Sequence, residues 1–223
     1  MSTFLEDTHS LNFNHPDFKQ FLKKFNFGKN STDNAKEIYY KIRDYFLYDP
    51  YHLDLSKKTL VASEIINKKR AWCVEKALIM VACCRAIGIP ARFGFAIVTN
   101  HIGVEKLTNY LRRHEIVFHG YAEVFLENKW SKCTPAFDSR VCRLSGVSTL
   151  DWDGKNDSMF QEFENGKKFM EYLHFYGEFA DIPFELMHQE MKKYYPHLFV
   201  TNFDSKEFSF KYDAYLSTQY IKC

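Results

Sequence analysis

Residues 71–92 read AWCVEKALIMVACCRAIGIPAR, and this stretch decides the fold. Val74, Ala77, Leu78, Val81 and Cys84 recur with the 3.6-residue period, which predicts a helix over 73–86 with a core-facing stripe. Ile79, Met80 and Ala82 make much of the remaining surface apolar as well, so this helix is expected to be buried on several sides. Gly88 supplies a C-terminal stop and Pro90 follows it. The apolar run 77–84 is far too short to span a bilayer.

Working outward, 92–98 reads as a strand and 107–114 as helical or irregular. Alternation predicts a strand over 119–126, with 129–134 as its hairpin partner across Asn128-Lys129. Upstream, a helix is expected over 33–46. Ser31, Thr32 and Asp33 are its candidate caps, and Ile38, Ile42, Tyr45 and Phe46 share one face. Asp49-Pro50 ends it, and Ser63 caps a short helix through Ile65 and Ile66. Residues 1–30 read as an extension wrapping the domain, with a short helix over 17–25. Residues 151–154 form a turn, and 183–194 a helix with Pro183 in its first turn. Helices come first and strands later, with no βαβ alternation. That predicts a single α+β domain over 31–223, built on an antiparallel sheet.

The chain has 223 residues and a net charge of +2, which gives no steering field. It argues against nucleic acid or a membrane as partner. Aromatic residues make up 17% of the chain, against 9 Gly and 6 Pro, which excludes a disordered or collagen-like polymer. The opening residues MSTFLEDTHSLNFNH have neither a basic start nor an apolar segment, so a cytoplasmic chain is expected. The six cysteines (Cys73, Cys83, Cys84, Cys133, Cys142 and Cys223) then read as free thiols. They form no CxxC or CxxH pair, and neither a metal nor a cofactor is expected.

Cys73 opens the apolar helix, where unpaired backbone N–H groups and the positive dipole end favour a thiolate. A reference thiol of pKa near 8.5 is only about 3% ionised at pH 7. Lowering it by roughly 2.5 units takes about 3.4 kcal/mol. A helix dipole supplies about 0.3–1 kcal/mol, so a histidine partner has to provide most of the effect. His119 starts a strand on which Tyr121, Glu123 and Phe125 share its face, and it is the candidate base. Thiolate attack on a carboxamide would give a thioacyl intermediate, and the Cys73 N–H is the natural oxyanion donor.

Trp72-Cys73 before an apolar helix, then RAIGIPAR at 85–92, HGYAE at 119–123, Trp130, and TPAF at 134–137 together resemble the transglutaminase-like superfamily. That superfamily comprises papain-fold relatives that include transglutaminases, peptide N-glycanases and bacterial cysteine peptidases. The resemblance is strongest to the bacterial branch. It implies a papain-like, transglutaminase-like α+β fold, with Cys73 as nucleophile and His119 as base. The superfamily's third residue is an Asp four positions after the strand tryptophan, and here that position holds Thr134. A hydroxyl can fix the imidazole tautomer but cannot stabilise its charge. Hairpin register offers Asp138 as a second candidate, because a turn at Asn128-Lys129 sets it opposite His119. Trp72 and Tyr121 are candidate walls of the substrate cleft. Arg85 and Arg92 read as structural ion-pair or carbonyl partners, and Glu123 either pairs with Arg92, the favoured reading, or lines the site. Lys68-Lys69-Arg70 reads as a solvated face that also raises local potential near Cys73. His101 and His114 read as surface residues. The expected function is a cysteine-dependent amide hydrolase or acyltransferase acting on a peptide, protein or other carboxamide. Hydrolysis ranks above cross-linking, and glycopeptides form one substrate option. The alternative is a non-catalytic binding module of the same fold, motivated by the Thr134 departure.

Overall fold

The computed structural model describes residues 1–100, 105–159, 170–200, 204–205 and 208–212. The readings of His101 and Cys223 fall outside these residues.

The first helix, α1 (Pro16–Leu22), starts with proline at N1 and buries Phe18 and Phe21. Helix α2 (Ser31–Tyr45) begins two residues before the expected 33, because Asn30 caps it by accepting the Asp33 N–H at 2.9 Å. Phe46 lies beyond its end in extended conformation, and Tyr45 is exposed rather than on the buried face. The short strands β1 (Leu47–Tyr48) and β2 (His52–Asp54) follow, then the one-turn helix α3 (Ala62–Ile65) and β3 (Arg70–Ala71). Helix α4 (Cys73–Ala86) has the bounds expected from its periodicity, and all its residues through Arg85 are buried.

The main sheet follows: β4 (Ala91–Asn100), β5 (Glu115–Leu126), β6 (Lys129–Cys133) and β7 (Met170–Phe179). Its order is β6-β5-β4-β7 and every pairing is antiparallel. Helix α5 (Glu105–Leu111) bridges β4 and β5, and α6 (Ser139–Leu144) follows β6. Helix α7 (Phe184–Tyr194) precedes β8 (Asp204–Ser205) and β9 (Phe208–Lys211). Beside the main sheet, β1 pairs with β3, and β2 with β9, in parallel. The second of these is a mixed sheet, since β8 joins β9 in antiparallel, and the molecule is thus α+β on an antiparallel sheet with two small additions that periodicity did not announce.

The β5–β6 hairpin corrects the expected register. Glu127 and Asn128 both have positive φ, 49° and 63°, which makes them the two central residues of a tight hairpin turn. Leu126 therefore pairs with Lys129, and Glu123 with Lys132 rather than Thr134. The strand ends at Cys133, so Asp138 does not lie opposite His119.

Residues 1–30 share the core of the rest. Leu11, Phe18, Phe21 and Phe25 are buried in it, and Asn12 exchanges side-chain bonds with Ser63 at 2.8 and 3.0 Å. Arg85 ties three segments by donating to the carbonyls of Ala91, Glu6 and Ala180. Arg92 bonds Glu123 across the β4–β5 pair at 2.6 and 2.8 Å, beneath the Trp130 ring.

Candidate active site

Helix α4 sets Cys73 at its first turn. Trp72 is the N-cap residue, but an indole cannot accept a hydrogen bond, so Glu75 serves the cap by accepting the Trp72 N–H at 3.2 Å. Lys68 neutralises the buried Glu75 carboxylate with a 2.5 Å ion pair. The start of α4 packs on β5 at Gly120. A Cβ there would meet the Val74 Cα at 2.9 Å, so only glycine admits this approach. The approach brings the Gly120 N–H to the Cys73 sulfur, alongside the N–H groups of Val74 and Cys73 itself. His119 is the residue immediately before Gly120 on that strand.

His119 sits next to a bulge. Its partner is Ala96, whereas Ile116 pairs with Val98, so three steps on β5 oppose two on β4. Phe118 takes up the extra residue with φ of 62°, a strained conformation for an aromatic side chain. The His119 ring lies edge-on to Tyr172 of β7, 6.0 Å between centroids, and its Nε2 is buried without a partner. Thr134 is also buried, but its hydroxyl meets the Tyr172 hydroxyl at 3.5 Å. Asp138 is elsewhere: its carboxylate caps α6 through the N–H groups of Arg140 and Val141 and accepts the Tyr48 N–H at 2.6 Å. The structure thus gathers Cys73, His119 and Thr134 around Tyr172 and commits Asp138 to backbone capping.

Desolvation dominates the electrostatics. Burial pushes the Cys73 thiol up to about 11, against the lowering effect of the three N–H groups. Burial pushes the His119 imidazole down to about 4. Burial thus favours the neutral form of both groups. A cavity of about 30 Å³ adjoins the sulfur, lined by Trp72, Leu53, Leu107 and Leu111 of α5, and Met191 and Tyr195. Trp72 lines this cavity beside Cys73, and its indole N–H is buried without a partner. Tyr121 packs across Gly94 in the sheet and edge-on to Tyr172, away from open solvent.

Two residues near this site escaped sequence reading. Tyr172 falls in a strand with aromatic residues on both faces (MEYLHFYGEF, 170–179), which hides the two-residue alternation. Lys76 sits on the core-facing helix and resembles a solvated charge. It is in fact fully buried, donating to the carbonyls of Arg43 and Ala136 at 2.8 Å each, and burial pushes its ammonium down to about 7. No group of three His, Cys, Asp or Glu side chains suited to a metal ion occurs among the described residues.

The model of the transglutaminase-like superfamily matches residues 19–135, just over half of the chain, and takes in Cys73, His119 and Thr134. The chain belongs to the transglutaminase-like superfamily. The match stops short of Asp138 and starts within α1, upstream of the expected domain start at 31. A candidate cysteine protease from Cytophaga hutchinsonii is structurally similar, with a TM-score of 0.42 and 17% identity. The similarity covers 79% of this chain and 53% of that one, so this transglutaminase-like chain spans about half the length of that protein. Comparison with curated proteins gives no match. Among the described residues no helix is long and apolar enough to cross a membrane.

Proposed function

We propose that this chain is a cysteine-dependent amide hydrolase or acyltransferase acting on a peptide or other carboxamide. The observation that carries the reading is the Gly120 contact: a helix-initial thiol is held against the strand residue that follows His119. With both groups neutral at rest, proton transfer accompanies attack. The imidazole takes the thiol proton as sulfur bonds to the carbonyl carbon. The N–H groups converging at the sulfur are the donors available to the developing oxyanion. Collapse breaks the C–N bond, and the imidazolium gives its proton to the leaving amine. Water then attacks the thioacyl carbon, His119 takes up its proton, and the thiol is released with the acid. An amine in place of water gives acyl transfer. Hydrolysis ranks first because nothing at the site marks an amine acceptor.

One observation favours a second reading, a binding module with the fold but no turnover. Neither Thr134 nor Asp138 bonds the His119 ring, and α5 closes the cavity at Cys73. An alkyne-tagged iodoacetamide separates the two. Labelling of Cys73 ahead of the other thiols, lost in Cys73→Ala, is expected for the enzyme. Labelling unchanged by that substitution sinks it.

A further inference from the structure

A carbonyl carbon under attack has to come within about 3–3.5 Å of the sulfur. Cys73 is 3% exposed and His119 1%, so part of what covers them has to yield to a substrate. The cavity at the sulfur shows which part. Most of its walls are anchored. Leu53 lies on β2, which is paired along its length with β9, and Val117 lies on β5, an inner strand of the main sheet. Tyr195 follows α7 and is tied to β5 twice: its hydroxyl donates to the Glu115 carbonyl at 2.7 Å and accepts the Val117 N–H at 2.8 Å. Leu107 and Leu111 belong to α5, which is seven residues long and, of the elements at this cavity, packs least on the rest of the molecule. The Tyr110 ring of α5 stacks on Phe208 at 5.1 Å, and the Tyr110 carbonyl meets the His197 ring at 2.7 Å. The chain then leaves α5 through Arg112, a non-glycine residue with φ of 56°. A short, sparsely packed helix is the part of such an enclosure that opens at least cost.

The walls that α5 would uncover restrict what can replace it. No charged side chain lines the cavity. Its polar side-chain groups besides the thiol are neutral: the hydroxyls of Tyr48 and Tyr195, and the Trp72 indole N–H that is buried without a partner. A main-chain carbonyl is enough to meet that one donor. A carboxylate or an ammonium would be desolvated there with no opposite charge on the lining. An aliphatic or aromatic side chain would instead restore the apolar burial that Leu107 and Leu111 give to Leu53, Trp72 and Met191. The space left beside the two leucines, about 30 Å³, is far below the size of a ligand site. A bulky group therefore takes their place and does not join them.

We propose that the site takes a peptide whose carbonyl-bearing residue has a large apolar side chain, leucine-like or phenylalanine-like, which enters where Leu107 and Leu111 now pack. The place of that side chain beside the scissile bond rests on the reading of Cys73 as nucleophile; the apolar seat itself does not. The same seat favours a main-chain amide over the side-chain carboxamide of glutamine, whose acyl group is a short unbranched chain with less apolar surface to bury.

The test treats the full chain with the chloromethyl ketones of N-acetyl-leucine, N-acetyl-glutamate and N-acetyl-lysine. Each reagent's rate at Cys73 is read by peptide mass spectrometry and divided by its rate with glutathione. The leucine reagent is expected to react at least about tenfold faster than the two charged ones. Leu107→Ala with Leu111→Ala is expected to speed the leucine reagent several-fold, because less has to be displaced. Met191→Gln, a wall residue made polar at similar size, is expected to narrow the preference, and a thermal melt checks that both variants fold. Equal normalised rates for the three reagents, or a double Ala variant that folds and reacts more slowly with the leucine reagent, overturn the proposal. A second arm needs no reaction: N-acetyl-leucinamide is expected to raise the Tm of the Cys73→Ala chain more than the amide of N-acetyl-glutamate does. Equal shifts, or none, overturn the apolar seat. If Cys73 reacts with none of the chloromethyl ketones, the nucleophile reading fails, and this second arm alone decides the seat.

Discussion

Cys73 and His119 are 3% and 1% exposed, and desolvation moves their proton affinities apart by disfavouring both charged forms. The thiol rises to about 11 and the imidazole falls to about 4. Cys73 alkylation in the folded chain should therefore keep rising above pH 9, where a free cysteine peptide has nearly levelled off. A rate that is flat from pH 6 to 9 would mean a preformed ion pair and would contradict the push toward neutral forms. Gly120 is the other decisive residue. Gly120→Ala presses a methyl group onto the Val74 Cα at 2.9 Å, so the helix start must retreat from β5. The expected cost is about 1–3 kcal/mol of stability. Probe labelling of Cys73 should change in the same variant, and a melt unchanged from wild type would contradict the contact.

Among the elements, the β5–β6 hairpin and α6 decide what accompanies the histidine. Asn128 was legible as a turn residue, since asparagine tolerates positive φ. The turn nevertheless centres on Glu127-Asn128, one residue earlier than Asn128-Lys129, and that moves every pairing sum by two. Register depends on backbone twist matched between two strands, which a propensity reading cannot resolve to one residue. Asp138 is released from the histidine and becomes a cap. Asp138→Ala should lose the α6 cap and leave the Tyr48 N–H without its acceptor, costing about 2–4 kcal/mol in urea unfolding. The pH profile of Cys73 labelling should stay the same. A shifted profile would return Asp138 to the site.

Across the whole molecule, burial of the site couples it to stability. His119 titrates near 4 in the folded chain and near 6.5 when unfolded, so the unfolded state binds more protons between those values. Its contribution is complete above pH 6.5 and is lost as pH falls through about 4. The size is of order 3 kcal/mol. Urea midpoints at pH 7 and pH 4.5 should therefore differ less in His119→Gln than in wild type. Equal differences would show that the imidazole is solvated.

Sequence alone determined α4, its bounds and its all-round burial, because a 14-residue apolar period ending at glycine and proline has one reading. It also determined the α+β class and the family resemblance, since both rest on ordered motifs, whereas the choice of Arg92 as the partner of Glu123 came from the β4–β5 pairing. Only the tertiary structure decided what surrounds Cys73. Gly120, Tyr172 and Leu107 come from three separate elements, and their approach is a packing result with no signature in any one segment. The push of burial toward neutral forms at Cys73 and His119 is likewise tertiary. Dipole and motif favour charge at the helix start, but the desolvation that outweighs them exists only once α4, α5 and the sheet have closed around the sulfur.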